Sequence, residues 1–214
     1  MLTNIKAAIF DMDGTLIDSM WVWKKIDVEY LRKRNISMPM DLKASIEHLS
    51  FIEIAKYFKE RFNIPESPEE IMNEWNSMAY NEYETEVKLK PGAGAYLALL
   101  KSLGIKIGLA TSNSKELMEV TLKNNNIYDY FDVICRTDEV LRGKDFPDVY
   151  LLAAKRLGVL PEQCIVFEDI LPAIIGAKAA GMKVVGVHDI DSENDASCIK
   201  EHADHYILRY EDLA

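Results

Sequence analysis

The chain is short of cysteine, of long apolar runs and of basic stretches, and each shortage removes a class of protein. Three cysteines in 214 residues, Cys135, Cys164 and Cys198, are odd in number, far apart and form no Cys-x-x-Cys. That argues against a disulfide framework or a zinc ribbon; Cys164 opens an apolar run and reads as a core thiol. Nowhere do ~18 apolar residues follow one another, so no membrane span is expected. No basic region followed by an apolar stretch opens the sequence, so no secretory leader is expected and the expected location is cytoplasmic. Lysine and arginine number 25 against 35 acids, a formal charge of −10. With no basic cluster, neither nucleic acid nor an anionic membrane is an expected partner. Internal repeats and low-complexity tracts are also missing. What remains, 49% hydrophobic and 28% charged residues, suits one or two globular domains with a substantial core.

The most informative segment is Ala7-Ala8-Ile9-Phe10-Asp11-Met12-Asp13-Gly14-Thr15-Leu16. An apolar strand runs into two carboxylates one residue apart and then a glycine. Asp11, at a buried strand end, can be held as a nucleophile, and carboxylates form covalent intermediates in phosphoryl transfer. Asp13 points to the other side of an extended chain, toward a leaving group, while its carbonyl can face a metal. Gly14 permits a backbone conformation that a side chain would forbid, and Thr15 adds a hydroxyl and an N–H. A strand ending in a polar turn is the plainer explanation of this motif alone.

Three further segments place suitable groups at or near strand ends. Ile105 to Ala110 is an apolar run followed by Thr111-Ser112-Asn113, hydroxyls and N–H groups of the kind that hold phosphate oxygens at a helix start. Cys164 to Phe167 is another, delivering Glu168-Asp169, two acids suited to Mg²⁺. Between them lies Gly143-Lys144-Asp145-Phe146-Pro147-Asp148, where Lys144 can neutralise a nucleophile and a phosphoryl group together. Each has a duller explanation singly: a helix cap, a solvated first turn, a surface lysine. Four in this order are far harder to attribute to chance.

Strand-like runs at about 5–10, 105–110, 132–135, 164–167 and 183–187 alternate with helical patterns, which predicts a doubly wound α/β fold with a parallel sheet. In such sheets ligands bind at the carboxyl ends of strands, where Asp11, Thr111 and Asp169 would lie. About 90 residues separate the first two strands, too many for a simple crossover, and they read as helical. Val22, Trp23, Ile26 and Tyr30 repeat at helical spacing, as do Ile71, Trp75, Met78 and Glu82 or Tyr83. Ser67-Pro68-Glu69-Glu70 predicts a helix start with a capping box. The expected organisation is therefore a Rossmann-like core of 1–17 and 87–214 with an inserted all-helical domain of 18–86, Lys90-Pro91-Gly92 marking the return. Trp21, Trp23 and Trp75 are expected in the core of that insert. Asp189 to Asp195 fails as a calcium loop, with Asn194 where glycine is needed and Lys200 where glutamate belongs, and is expected to be a solvated loop. His202 and His205 lack further ligands for zinc.

Together these motifs resemble the haloacid dehalogenase-like hydrolase superfamily. Asp11-Met12-Asp13-Gly14-Thr15 is similar to its first motif, Thr111 to its second, Lys144 to its third and Glu168-Asp169 to its fourth. The stretch from Phe167-Glu168-Asp169 to Ala179-Ala180-Gly181-Met182 looks like the branch that contains β-phosphoglucomutase and many small-metabolite phosphatases. The resemblance implies a Mg²⁺-dependent phosphatase acting on a small phosphorylated metabolite, with Asp11 as nucleophile and Asp13 as general acid and base. It implies Mg²⁺ held by Asp11, the Asp13 carbonyl, Asp169 and Glu168. It implies phosphate oxygens held by Gly14, Thr15, Thr111, Ser112, Asn113 and Lys144, with the insert as a cap. Departures occur at Ile170, where relatives often carry serine, and Asp145, where they often carry proline; neither removes a group the chemistry requires. Mutases of the branch carry a histidine where this chain has Trp23, and an arginine in the stretch matching Ile46 to Phe51, which has none. A Mg²⁺-dependent phospho-acceptor module is the alternative of another class, but it lacks both the second carboxylate and the long insert.

Overall fold

The computed structural model describes residues 2–46 and 51–213. The chain divides into two compact units, Met1–Ser19 with Val87–Ala214, and Met20–Glu86. In chain order the first half contains β1 (Ala7–Phe10), β2 (Ile17–Asp18), α1 (Met20–Lys33), α2 (Leu42–Ile46), α3 (Phe51–Phe62), α4 (Pro68–Thr85), β3 (Lys88–Leu89) and α5 (Ala93–Ser102). The second half contains β4 (Lys106–Thr111), α6 (Lys115–Asn124), β5 (Val133–Arg136), α7 (Asp148–Leu157), β6 (Cys164–Glu168), α8 (Leu171–Ala179), β7 (Lys183–Val187), α9 (Ala196–His202) and β8 (His205–Ile207).

The discontinuous unit is built on a six-stranded sheet in the order β5-β4-β1-β6-β7-β8, with every pair parallel. The expected doubly wound α/β architecture is the one observed. All four residues of β1 and all five of β6 are buried, as strands covered on both faces must be. On one face Phe10 stacks on Phe167 at 4.5 Å between ring centroids, with Tyr96 and Tyr210 packed around them. On the other, Ala7, Ile9 and Val166 share a core with Tyr150, Ala153 and Leu157 of α7 and Ile174 and Ala177 of α8. Each large side chain so buried contributes about 1.5–3 kcal/mol. The chain leaves β1 toward β4 and β5 on one side and later adds β6 and β7 on the other. Strand order thus reverses beside β1, the place where such sheets form a crevice. Register aligns Phe10 with Leu109 and with Phe167, so residues just beyond these three reach one edge together.

Three features of this unit lie outside the sequence expectation. β8, His205-Tyr206-Ile207, is too short and polar to read as a strand, yet extends the sheet beside β7. β2 and β3 form a separate antiparallel ribbon, Ile17 opposite Leu89. The stretch after β7, expected to be a solvated loop, winds into a 3₁₀ turn over Ile190–Asp195. Asp189 is buried, not solvated, and pairs with Lys90 at 2.9 Å. Cys164 is a buried thiol as expected, and no helix among the described residues is long and apolar enough to cross a membrane.

The continuous unit is helical. α1 buries Val22, Ile26, Tyr30 and Leu31; α4 buries Ile71, Trp75, Ala79 and Tyr83. The expected Met78 is only half-buried because the buried stripe steps by four residues, and Ala79 takes its place. The capping box forms: Glu70 N–H donates to Ser67 Oγ at 3.2 Å and Ser67 N–H to Glu70 Oε2 at 2.7 Å, a cap worth about 1 kcal/mol. Trp75 packs edge-on against Tyr30 and Phe58. Trp23 is half-buried against Phe51 and Tyr83. Trp21, expected in the core, is exposed, because it lies off the Val22–Ile26–Tyr30 stripe. Of the stretch Ile46 to Phe51, residues 47–50 lie outside those described.

Candidate active site

Asp11 directly follows β1, and its N–H donates to the Phe167 carbonyl at 3.0 Å, which continues the sheet pairing beyond the strand. Its carboxylate is buried and accepts a hydrogen bond from Lys144. Lys144 reaches in from the loop before α7 and also donates to Glu168 Oε1 at 2.7 Å. Glu168 is the last residue of β6 and Asp169 the next; both are buried. Asp169 Oδ1 accepts from the Thr15 hydroxyl at 2.9 Å. Asp11, Glu168 and Asp169 each offer an oxygen within 4.8 Å of the others. Three carboxylates at the ends of two adjacent strands thus converge, two of them bonded to one lysine.

Gly14 is the hinge of this arrangement. Its φ is +78°, and a Cβ there would stand 2.3 Å from Asp169 Oδ2, so both conformation and space demand glycine. The turn it makes presents Asp13, whose Oδ1 accepts from the Ser19 hydroxyl at 2.7 Å and Oδ2 from the Asn113 amide at 2.9 Å. Thr111 closes β4, and its Oγ1 accepts the Asn113 N–H at 3.0 Å, which leaves the hydroxyl proton to be donated elsewhere. Two expectations change here. The helix α6 starts later, with Ser114 as its N-cap, so Thr111 belongs to the strand. The Asn113 N–H expected to face phosphate is bonded to Thr111, and it is the Asn113 side chain that enters the site, on Asp13. Ser112 stands between them, exposed.

The electrostatics follow from crowding like charges in a buried place. Burial pushes the Glu168 carboxyl up to about 7, with Lys144 pulling it back and Asp11 pushing further. Asp169 is raised well above the carboxylate range by burial and by Asp11 and Glu168. Burial works against the Lys144 ammonium, yet Asp11 and Glu168 hold it above the ordinary lysine value. With all three acids ionised, Lys144 leaves two negative charges unbalanced.

The family model for haloacid dehalogenase-like hydrolases matches residues 8–187. The chain belongs to that family. YhcW of Bacillus subtilis (strain 168), which carries a phosphatase name, is 36% identical over 182 residues, 85% of this chain and 82% of its own. Hexitol phosphatase B of Escherichia coli (strain K12) is 31% identical over 195 residues, covering 90% and 87%. Among solved structures, β-phosphoglucomutase from Clostridium difficile superposes with a TM-score of 0.78 at 26% identity, covering 98% of this chain and 93% of that one. Family and relatives together place the protein among the phosphoric monoester hydrolases with this fold.

The family generally uses Mg²⁺, and the residues present fit it. The donors are all oxygens, as a small hard cation requires. Glu168 Oε2 is buried and has no partner among the described residues, an orphaned acceptor that a cation or its water would satisfy. Two side chains in this site escaped the sequence reading. Ser19 holds Asp13 from the far end of β2, a contact no motif spacing reveals. Tyr150 donates from α7 to Glu168 Oε1 at 2.8 Å; its one sequence signal is a hydroxyl on the otherwise apolar stripe Val149, Ala153, Ala154 and Leu157.

Proposed function

We propose that this member of the haloacid dehalogenase-like hydrolases removes phosphate from a small phosphorylated metabolite through an aspartyl-phosphate on Asp11. The observation that carries the reading is the convergence of Asp11, Lys144, Glu168 and Asp169 in one buried cluster, with Asp13 gripped at both oxygens beside it. Asp11 attacks phosphorus in line while Asp13 gives a proton to the leaving alcohol; Asp13 then takes a proton from water, which hydrolyses the aspartyl-phosphate. Lys144, the Thr111 hydroxyl and the Ser112 N–H stabilise the oxygens of the transferring group; the expected donors Gly14 and Thr15 are engaged within the loop, the Gly14 N–H on the Ile17 carbonyl at 3.0 Å and the Thr15 hydroxyl on Asp169 at 2.9 Å. Asp11, Asp169 and the Asp13 carbonyl would hold Mg²⁺, with Glu168 binding directly or through water; when bound, the ion offsets repulsion between carboxylate and phosphate. The helical unit serves as the cap that recognises substrate, and the protein acts in the cytoplasm.

Similarity to a β-phosphoglucomutase structure supports a second reading, return of the phosphoryl group to sugar in place of water. Trp23 stands where those mutases carry histidine, which favours hydrolysis. A screen of phosphorylated metabolites with purified protein and Mg²⁺ tests the reading, with free phosphate from small monophosphates as the expected product. A coupled assay for glucose 6-phosphate from β-glucose 1-phosphate plus a bisphosphate activator separates the two. Isomerisation faster than phosphate release would make the protein a mutase, and neither product across a broad panel would favour a phospho-acceptor module.

A further inference from the structure

Glu168 can serve a cation only if one of its oxygens is kept free and pointed. Both lone-pair directions of Oε1 are taken, by Lys144 Nζ at 2.7 Å and by the Tyr150 hydroxyl at 2.8 Å. Oε2 is buried with no partner among the described residues. The carboxylate is therefore held by one end, and the other is the end left to bind. Lys144 alone would not fix it, because the same ammonium also donates to Asp11 and is shared between the two acids. Tyr150 has no such freedom. Its ring is fully buried in the core between α7 and the sheet, so its hydroxyl is a rigid donor. A phenylalanine would fill the same space, and the hydroxyl's own burial cost is met by its bond to Glu168.

We propose that Tyr150 is a positioning residue that fixes Glu168 with Oε2 toward the cation site, an inference that rests on the Mg²⁺-dependent reading above. It acts through Glu168 and touches neither phosphate nor the reacting atoms. Partners that orient a metal ligand typically carry 10–100-fold in affinity when lost.

The test is calorimetric titration of MgCl₂ into metal-free wild type, Tyr150→Phe and Leu157→Ala, with thermal unfolding of each. Leu157 lies on the same helix, in the core and away from the cluster, so its truncation lowers stability without touching Glu168. The expected result is Mg²⁺ binding weakened at least tenfold in Tyr150→Phe and less than twofold in Leu157→Ala, though the latter melts lower. Equal affinity in wild type and Tyr150→Phe would overturn the inference. So would a Tyr150→Phe that does not fold, or a Leu157→Ala that weakens binding as much, since either makes the hydroxyl a structural group. Absence of binding heat in wild type would instead overturn the metal reading beneath it.

Discussion

Substituting Gly176 by alanine should damage catalysis from outside the site. Gly176 lies in α8, and a Cβ there would stand 2.0 Å from the Lys144 carbonyl oxygen and 2.9 Å from that of Phe146. Both are backbone atoms, so no side chain can swing aside. The loop carrying Lys144 must retreat by roughly 1 Å or more to reach ordinary van der Waals separation. Overpacking of this kind costs about 1–3 kcal/mol, which for a chain of this size lowers the melting temperature by roughly 2–12 °C. The functional cost is larger than the structural one. Lys144 Nζ bridges Asp11 and Glu168, and a displacement of about 1 Å in a positioning group typically costs on the order of 100-fold in turnover. Phosphate release from a chromogenic phosphate ester, measured beside circular dichroism and a thermal melt, reads both effects. The expected outcome is a folded protein with turnover down by roughly two orders of magnitude. Wild-type turnover and an unchanged melting temperature would refute the steric reasoning.

Two further predictions concern the acid cluster. Activity should vanish in EDTA and return with Mg²⁺, whereas Ca²⁺ should inhibit because its larger, looser shell does not hold in-line geometry; full activity in EDTA would contradict the cofactor assignment. In EDTA the protein should lose stability as pH rises from about 5 to 8. Burial holds the folded Glu168 carboxyl up at about 7 against about 4.3 unfolded, so the folded state binds the extra proton and stability falls through that window, by roughly 4 kcal/mol at most. Thermal melts across pH check it: melting temperature should drop toward pH 8 without metal and recover when Mg²⁺ is added, and a flat profile would count against the buried cluster.

Much of this was legible in the sequence because it rests on local signals. Apolar runs such as Cys164 to Phe167 cannot be satisfied except as covered strands. Ser67 to Glu70 specifies its helix start through contacts three residues apart. The motif acids were legible because they sit at the ends of those runs. What escaped depends on contacts between distant segments. Asn113 turns its side chain onto Asp13, 100 residues away in sequence, and its N–H onto Thr111, which spacing alone does not specify. Tyr150 reads as one more core aromatic until the sheet brings Glu168 to it. Asp189 reads as part of a solvated acidic loop because its partner Lys90 lies far away in sequence, just after β3. β8 is legible only beside β7, whose edge supplies the pairing that its own short, polar sequence does not predict.

The central claim is that Asp11 is the covalent nucleophile. Rapid quench of the working enzyme with borohydride reduces an aspartyl-phosphate to homoserine, and peptide mass spectrometry locates the altered residue. The account predicts homoserine at position 11 in wild type during turnover, none at Asp13, Glu168 or Asp169, and none anywhere in Asp11→Asn, which stays folded without releasing phosphate. Reduction at another carboxylate, or an Asp11→Asn enzyme that keeps more than a few per cent of wild-type turnover, would contradict it.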